Sequence, residues 1–333
     1  MRLATYNIEW MTNLFADDGA LLNDGEPSGR YGVTRQDQIA ALCNVFQALD
    51  ADGVMIVEAP DQGRSRASVA ALETFAANAS IRARRAVIGF ANDTQQEIAL
   101  LFDPDVLTVR HDPEIHAGAP QFDGEFAIDL DIDATEDRVV FSKPPLELAV
   151  ETGDGAQLRL IGAHLKSKAP HGAKTRDEVL RMSIANRRKQ LAQAIWLRTR
   201  IAAHLEEGAS LILMGDLNDG PGLDEYEHLF GRSSVEIIMG EGEAALFDPH
   251  ARQGLQRRLG AMPTTARFWI RPEQRYLQAL LDYIMVSPDL AKREGRWRIW
   301  HPLDDPECWG QPALRDALVT ASDHFPVSLD ISL

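Results

Sequence analysis

The chain has 333 residues and a formal charge of −16, and 45% of it is hydrophobic and 25% charged, the make-up of a globular protein rather than a disordered one. Such acidity argues against broad electrostatic attraction to nucleic acid. It leaves open a site where a metal ion and a few basic groups hold a phosphate locally.

The N-terminal residues Met1–Trp10 run straight into an apolar strand, with no basic-then-apolar leader, so a cytoplasmic protein is expected. Short runs rich in Val, Ile and Leu then recur, bounded by Gly, Pro, Asp or Asn. They predict strands at Arg2–Ile8, Gly53–Val57, Ala86–Phe90, Glu97–Phe102, Val106–Arg110, Ala127–Ile132, Arg138–Phe141 and Leu146–Val150. Further strands are expected at Leu158–His164, Leu211–Met214, Ala266–Ile270, Ala279–Val286 and Phe325–Ile331. Apolar spacing predicts helices at Arg35–Leu49, Ala67–Ala79 and Thr175–Leu205. In the last, Val179, Leu180, Ser183, Ile184, Leu191, Ile195 and Leu205 return to one face, and Thr175 with Glu178 reads as a capping box. Met11–Thr34, His111–Phe122 and Trp300–Asp316 read as loops.

Many strands among few helices, with no internal repeat, predict one layered α+β domain spanning 1–333. No apolar run approaches the roughly 18 residues needed to span a bilayer. The two cysteines, Cys43 and Cys308, lack paired spacing, which argues against a disulfide framework or a structural zinc site.

Polar residues concentrate where strands end: Tyr6-Asn7-Ile8-Glu9, Ile56-Val57-Glu58, Gly162-Ala163-His164-Leu165-Lys166, Gly215-Asp216-Leu217-Asn218 and Ser322-Asp323-His324. Alternate residues of an extended chain share a side. Asn7 and Glu9 would therefore face together, as would Asp216 with Asn218, and His164 with Lys166 and Lys168. Asp323 and His324 are adjacent, so both reach one site only from a loop before the final strand.

In this order the segments resemble the endonuclease/exonuclease/phosphatase superfamily. TYNIEW is similar to its N-terminal Asn strand, VMIVEAP to the strand delivering a metal-binding Glu, and GAHLKSK to the catalytic-His segment. LMGDLND resembles the GDxN signature, LLDYIMVS the Asp-bearing penultimate strand, and SDHFPV the terminal SDH motif. The resemblance covers nearly the whole chain. It departs from the family at Val57, where Gln is usual, and at Lys143, where relatives often carry Arg.

The resemblance implies a four-layer α/β sandwich, two packed, mostly antiparallel sheets flanked by helices, that hydrolyses phosphoesters with Mg²⁺ or Mn²⁺. Glu58 would be the leading metal ligand, helped by Glu9 and Asp323. Asp216 would be the base or water-orienting group, with Asn218 and Asn7 as neutral donors. His324, oriented by Asp282, would contact the phosphate. His164, paired with Glu97, would be the general acid or a second phosphate contact. Lys143, Lys166 and Lys168 are the candidate substrate contacts. Lys166, Lys168, Arg187 and Arg188 also read as a solvated face, and Trp10 and Trp269 as core aromatics rather than base-stacking ones.

The substrate stays open between nucleic acid, which HLKSK favours, and a small-molecule, nucleotide or lipid phosphate, which the acidic surface favours. A binding module without catalysis is disfavoured, because every expected catalytic position carries a competent residue. No obligate protein partner is implied.

Overall fold

The computed structural model describes residues 1–128, 137–170, 172–221, 231–256, 262–270 and 274–333. Sheet one has six strands in the order β14 (Arg296–Ile299), β15 (Val327–Asp330), β1 (Arg2–Asn7), β2 (Gly53–Ala59), β4 (Glu97–Phe102) and β3 (Arg85–Ile88). Sheet two has five, β13 (Asp282–Val286), β10 (Leu211–Asp216), β9 (Gln157–His164), β8 (Leu146–Thr152) and β5 (Leu107–His111). The β1–β2 and β9–β10 pairs are parallel and the other pairs antiparallel.

The inner core explains why the sheets face each other. Leu3, Met55, Ile98 and Leu100 of sheet one bury against Leu148, Leu160, Ile212, Met214 and Ile284 of sheet two. Successive strand residues point to opposite faces, so a second apolar set is left outside each sheet. Ala4, Tyr6, Val54, Ile56 and Leu101 meet α1 (Arg35–Leu49), α2 (Ser68–Ala79) and α7 (Pro312–Ala321). Ile161, Ala163, Leu213 and Met285 meet α3 (Arg176–Glu206), α4 (Ser234–Met239) and α5 (Pro249–Leu255). The result is the expected four-layer α+β sandwich. Among the described residues no helix is long and apolar enough to cross a membrane.

Local differences have physical causes. The capping box at Thr175 and Glu178 is present, but only part of the expected stripe seats the helix above it: Ser183 and Leu191 are buried, whereas Val179 and Leu180 are exposed. Arg187, Gln190, Gln193, Arg200 and His204 are buried as well. This polar rail is satisfied by buried carboxylates: Arg200 Nε meets Glu147 at 2.8 Å, and Arg187 meets Asp219 at 2.7 Å. The reading of Arg187 as solvated is therefore corrected. The run Ala279–Val286 divides at Leu280–Leu281, its first residue closing β12 (Arg275–Ala279) and its remainder forming β13. β12 pairs with β11 (Ala266–Ile270) as a separate hairpin. Trp300–Asp316 is not a loop: it holds α6 (Pro306–Gly310) and the start of α7, each opened by a proline in its first turn. The expected strand Ala127–Ile132 is β6 (Phe126–Ile128), paired with β7 (Asp137–Val139); its residues 129–132 lie outside the described residues.

Candidate active site

Strand register builds the first row of the site. At the ends of β9, β10 and β13, Asp216 stands opposite His164 on one side and Asp282 on the other. Gly215 makes this close packing feasible. Its φ is +138°, and a Cβ there would lie 2.0 Å from the carbonyl oxygen of Ala163 on the neighbouring strand. Gly215→Ala is expected to cost about 3 kcal/mol, combining backbone strain with a clash that rigid strands cannot relieve. Urea unfolding measures it, and an unchanged midpoint would contradict the assignment.

Sheet one supplies the facing groups. In β2, Val57 pairs with Ile98 and Ala59 with Glu97, so Glu58 is bulged out of the ladder. Its φ is +60°, uncommon for a residue with a side chain and the kind of local strain a functional position retains. The carboxylate accepts the Trp10 amide at 3.2 Å. Asn7 closes β1 and donates from Nδ2 to Asp216 Oδ2 at 2.9 Å, joining the two sheets. Asp216 Oδ1 accepts the Asn218 amide at 2.7 Å, and Asn218 itself has φ +51°. Asp323 and His324 come from the segment between α7 and β15, where Ser322 Oγ accepts the His324 amide at 3.1 Å and donates to the Asn7 carbonyl at 2.8 Å. The hairpin β11–β12 abuts them: the Arg267 amide donates to the Asp323 carbonyl, and Phe268 packs edge-on to the His324 ring.

The His324–Asp282 pair is the most developed interaction of the site. His324 Nδ1 lies 2.7 Å from Asp282 Oδ2, and both residues are buried. Thr265 Oγ1 donates to the same oxygen at 2.8 Å and is itself held by the amides of Leu281 and Asp282. Burial alone would lower the imidazole pKa, but Asp282, with Asp216 and Asp323 behind it, overrides this and raises it well above the usual histidine value. His164 goes the other way. Burial, with Lys143 and His324 adding, holds it well below its usual value. Lys143 Nζ sits 3.2 Å from His164 Nδ1, and burial lowers its own pKa against the pull of Glu58 and Asp216.

Three further carboxylates are raised by burial even though positive groups stand near them, Arg30 at Glu9, His324 at Asp216, and Lys143 and His324 at Glu58. Burial, with Asp323 next, pushes Glu9 up to about 7. Burial likewise raises Asp216 to about 7, Asp282 adding and His324 opposing, and burial raises Glu58. Asn7 Oδ1 is buried with no hydrogen-bond partner. Hard oxygen donors, crowded carboxylates and one orphaned amide oxygen fit a small divalent cation such as Mg²⁺ or Mn²⁺. Glu9, Glu58 and Asp323 would hold it.

The structure brings Asn7, Glu9, Glu58, Lys143, His164, Asp216, Asn218, Asp282, Asp323 and His324 to one end of the two sheets. It does not bring Glu97 to His164, and that expected pairing is corrected. Glu97 accepts Asn92 Nδ2 at 2.8 Å and the amides of Asn92 and Gln62, because Asn92, five residues earlier, is nearer than the facing sheet. Lys168 also differs from expectation: its ammonium is committed to buried Asp219 at 2.8 Å. The Lys166 amide donates to Gln193 Oε1 at 2.9 Å.

Sequence reasoning missed Arg30, whose guanidinium binds Glu9 and stands 4.0 Å from Asp323; it lies in the first loop, where no periodicity distinguishes it. It also misjudged Trp10 and Trp269. They are 42% and 44% exposed, and Tyr276 beside Trp269 is 48% exposed. Trp10 adjoins Glu9 and Glu58, and Trp269 lies on the hairpin bound to Asp323 and His324.

The layered fold and this carboxylate–histidine cluster define a class, and a sequence profile of the Endonuclease/Exonuclease/phosphatase family matches residues 4–324. The chain belongs to that family, whose members are generally hydrolases acting on phosphoesters. No curated protein matches it in sequence. Truncated TDP2 of Caenorhabditis elegans is similar in fold, with TM-score 0.52 and 14% identity over 100% of this chain and 97% of that one. The mannosyl-6-phosphatase Bt3783 of Bacteroides thetaiotaomicron has TM-score 0.53 and 16% identity, with 100% of each chain covered. A further family member from the same bacterium has TM-score 0.52 and 14% identity, covering 99% of this chain and 97% of its own.

Proposed function

We propose that this protein is a Mg²⁺- or Mn²⁺-dependent phosphodiesterase of nuclease type. The observation that carries the reading is the buried His324–Asp282 pair set among metal-suited carboxylates. Phosphodiester hydrolysis needs the phosphate charge neutralised, a water activated and the leaving oxygen stabilised. A bound divalent ion supplies Lewis acidity to a phosphate oxygen.

The chain's own residues supply the rest. His324, kept cationic by Asp282, donates from Nε2 to a non-bridging phosphate oxygen. Asp216, with a pKa of about 7, orients the attacking water and accepts its proton near neutrality. Its carboxylate is held for this by Asn7 and Asn218. His164 is neutral and positions the phosphate. Lys143, made more acidic by burial, is the better donor to the leaving oxygen.

Exposed Trp10, Trp269 and Tyr276 around this site support a substrate with stackable bases. A small-molecule phosphate is the second reading, favoured by the net charge of −16, which repels a polyanion.

A metal-supplemented panel of bis-p-nitrophenyl phosphate, p-nitrophenyl phosphate, single-stranded DNA, RNA and plasmid tests the choice. Turnover of the monoester alone would overturn the diesterase reading. Trp10→Ala and Trp269→Ala should each raise KM for a single-stranded oligonucleotide by about 5-fold or more, as expected for one lost stacking contact. The effect on bis-p-nitrophenyl phosphate should be smaller. Equal effects on both substrates would remove the stacking argument.

A further inference from the structure

At the far end of sheet two, the loop after β5 meets the last turn of α3. Glu114 and His116 come from that loop, His204 from the helix, and Glu207 is the helix C-cap. Arg159 at the start of β9 binds Glu114 at this end, whereas His164 ends the same strand at the phosphoesterase site. Five residues of strand separate the two, about 16 Å.

Four potential ligand atoms here lie within 4.8 Å of one another. His204 is 1% exposed, and its Nδ1 has no hydrogen-bond partner; the same holds for His116 Nε2. Both point at one atom: Glu114 Oε2 is 3.5 Å from His204 Nδ1 and 3.7 Å from His116 Nε2. Ligands around 2.0–2.1 Å from a tetrahedral ion stand roughly 3.3–3.4 Å apart. The observed separations need little closure to match.

Each group is also held from behind. His204 Nε2 faces Glu147 Oε1 at 3.3 Å, a buried carboxylate already anchored by Arg200. His116 Nδ1 faces Glu207 Oε1 at 3.2 Å. Glu114 Oε1 faces Arg159 at 3.1 Å. A carboxylate behind each imidazole fixes its tautomer and leaves the other nitrogen free for a metal.

We propose that Glu114, His116 and His204 form a second metal site for Zn²⁺, distinct from the phosphoesterase centre. Two imidazoles and one carboxylate suit zinc rather than Mg²⁺, which prefers all-oxygen shells. The cysteines gave no hint of zinc because none of the ligands is a cysteine. The site ties the loop after β5 to the C-terminal turn of α3, so its role is structural.

The test uses the full chain, stripped with chelator and held in excess Mg²⁺. Zn²⁺ should then bind with one equivalent at micromolar concentration and raise Tm. Co²⁺ should give visible absorption bands of a tetrahedral ion. His116→Gln and Glu114→Gln should each lose at least about 10²-fold in Zn²⁺ affinity along with the Tm shift. Asp323→Asn, at the other site, should retain both. Glu207→Gln, on the exposed C-cap, should weaken binding about 10-fold, so the test stands even if a ligand variant fails to fold. Absence of Zn²⁺ binding at micromolar concentration, or equal affinity in wild type, His116→Gln and Glu207→Gln, would overturn the site.

Discussion

Asp282→Asn is expected to keep the fold and lower kcat on a diester by about 10²-fold or more. The Asn oxygen can still accept from Thr265 Oγ1, so the local backbone is preserved. What is lost is the charge that holds His324 as imidazolium. Without it, burial is opposed only by the smaller pull of Asp216 and Asp323, and the ring's pKa falls, favouring the neutral form. A neutral ring stabilises the transition-state charge less well, and its orientation is no longer set. His324→Ala should be at least as damaging. The double variant should be much less than additive, because the pair acts as a unit. Losses that multiply independently, or a fully active Asp282→Asn, would refute the dyad. The pH sign follows from the raised histidine pKa. Its contribution to stability is complete below the unfolded histidine value and disappears as pH rises through the higher folded one. The deficit of Asp282→Asn relative to wild type should therefore narrow toward acid pH, where the ring regains its proton, even as both enzymes slow with protonation of Asp216.

Removal of metal is expected to reduce turnover by on the order of 10³-fold, since charge stabilisation at a phosphoryl oxygen is worth several kcal/mol. Glu58→Gln should raise the Mg²⁺ concentration needed for half-maximal rate, and full activity after dialysis against EDTA would end the metal proposal. Stability offers an independent reading. Glu9 and Asp216 are both raised to about 7 in the folded chain. Between their ordinary values and that point the folded state binds more protons than the unfolded one, so metal-free stability falls as pH rises across the window. A cation replaces those protons. Mg²⁺ should therefore raise Tm more at pH 8 than at pH 5, and a pH-independent Tm shift would contradict the assignment.

Much of this site was legible because it sits where apolar strands stop. Asn7, His164, Asp216 and Asp282 each end or begin a run of buried residues, and a strand needs only local pattern to recognise. Glu58 was found for the same reason, though its bulge was not. Nothing in the VMIVEAP run shows that Glu58 leaves the ladder, since bulging depends on the pairing partner β4. Loops were the blind region. Arg30 reaches Glu9 through a fold of the first loop, and His116 meets His204 across 88 positions of sequence, and neither meeting has a period to betray it. α3 was misread for another reason. Its buried face carries Arg187, Gln190, Arg200 and His204, and a search for apolar spacing cannot see a polar face neutralised by Asp219 and Glu147. Trp10 and Trp269 were assigned to the core on composition alone, whereas their exposure is set by a left-handed Trp10 and by a hairpin standing apart from both sheets.

The position of β15 has a consequence for how the molecule is made. This strand pairs on one side with β1, Thr5 lying opposite Val327, and on the other with β14. The first ten residues bring Asn7 and Glu9, and Asp323 and His324 are separated from β15 only by Phe325 and Pro326. During synthesis the early half of the constellation must wait, on an unfinished sheet edge, for the long stretch of chain between Glu9 and Asp323 to emerge. Contacts of such long sequence separation slow folding and prolong exposure of unpaired edges. On the proposed function, the nascent chain would be silent until β15 docks, so that completion of sheet one and onset of activity are the same event.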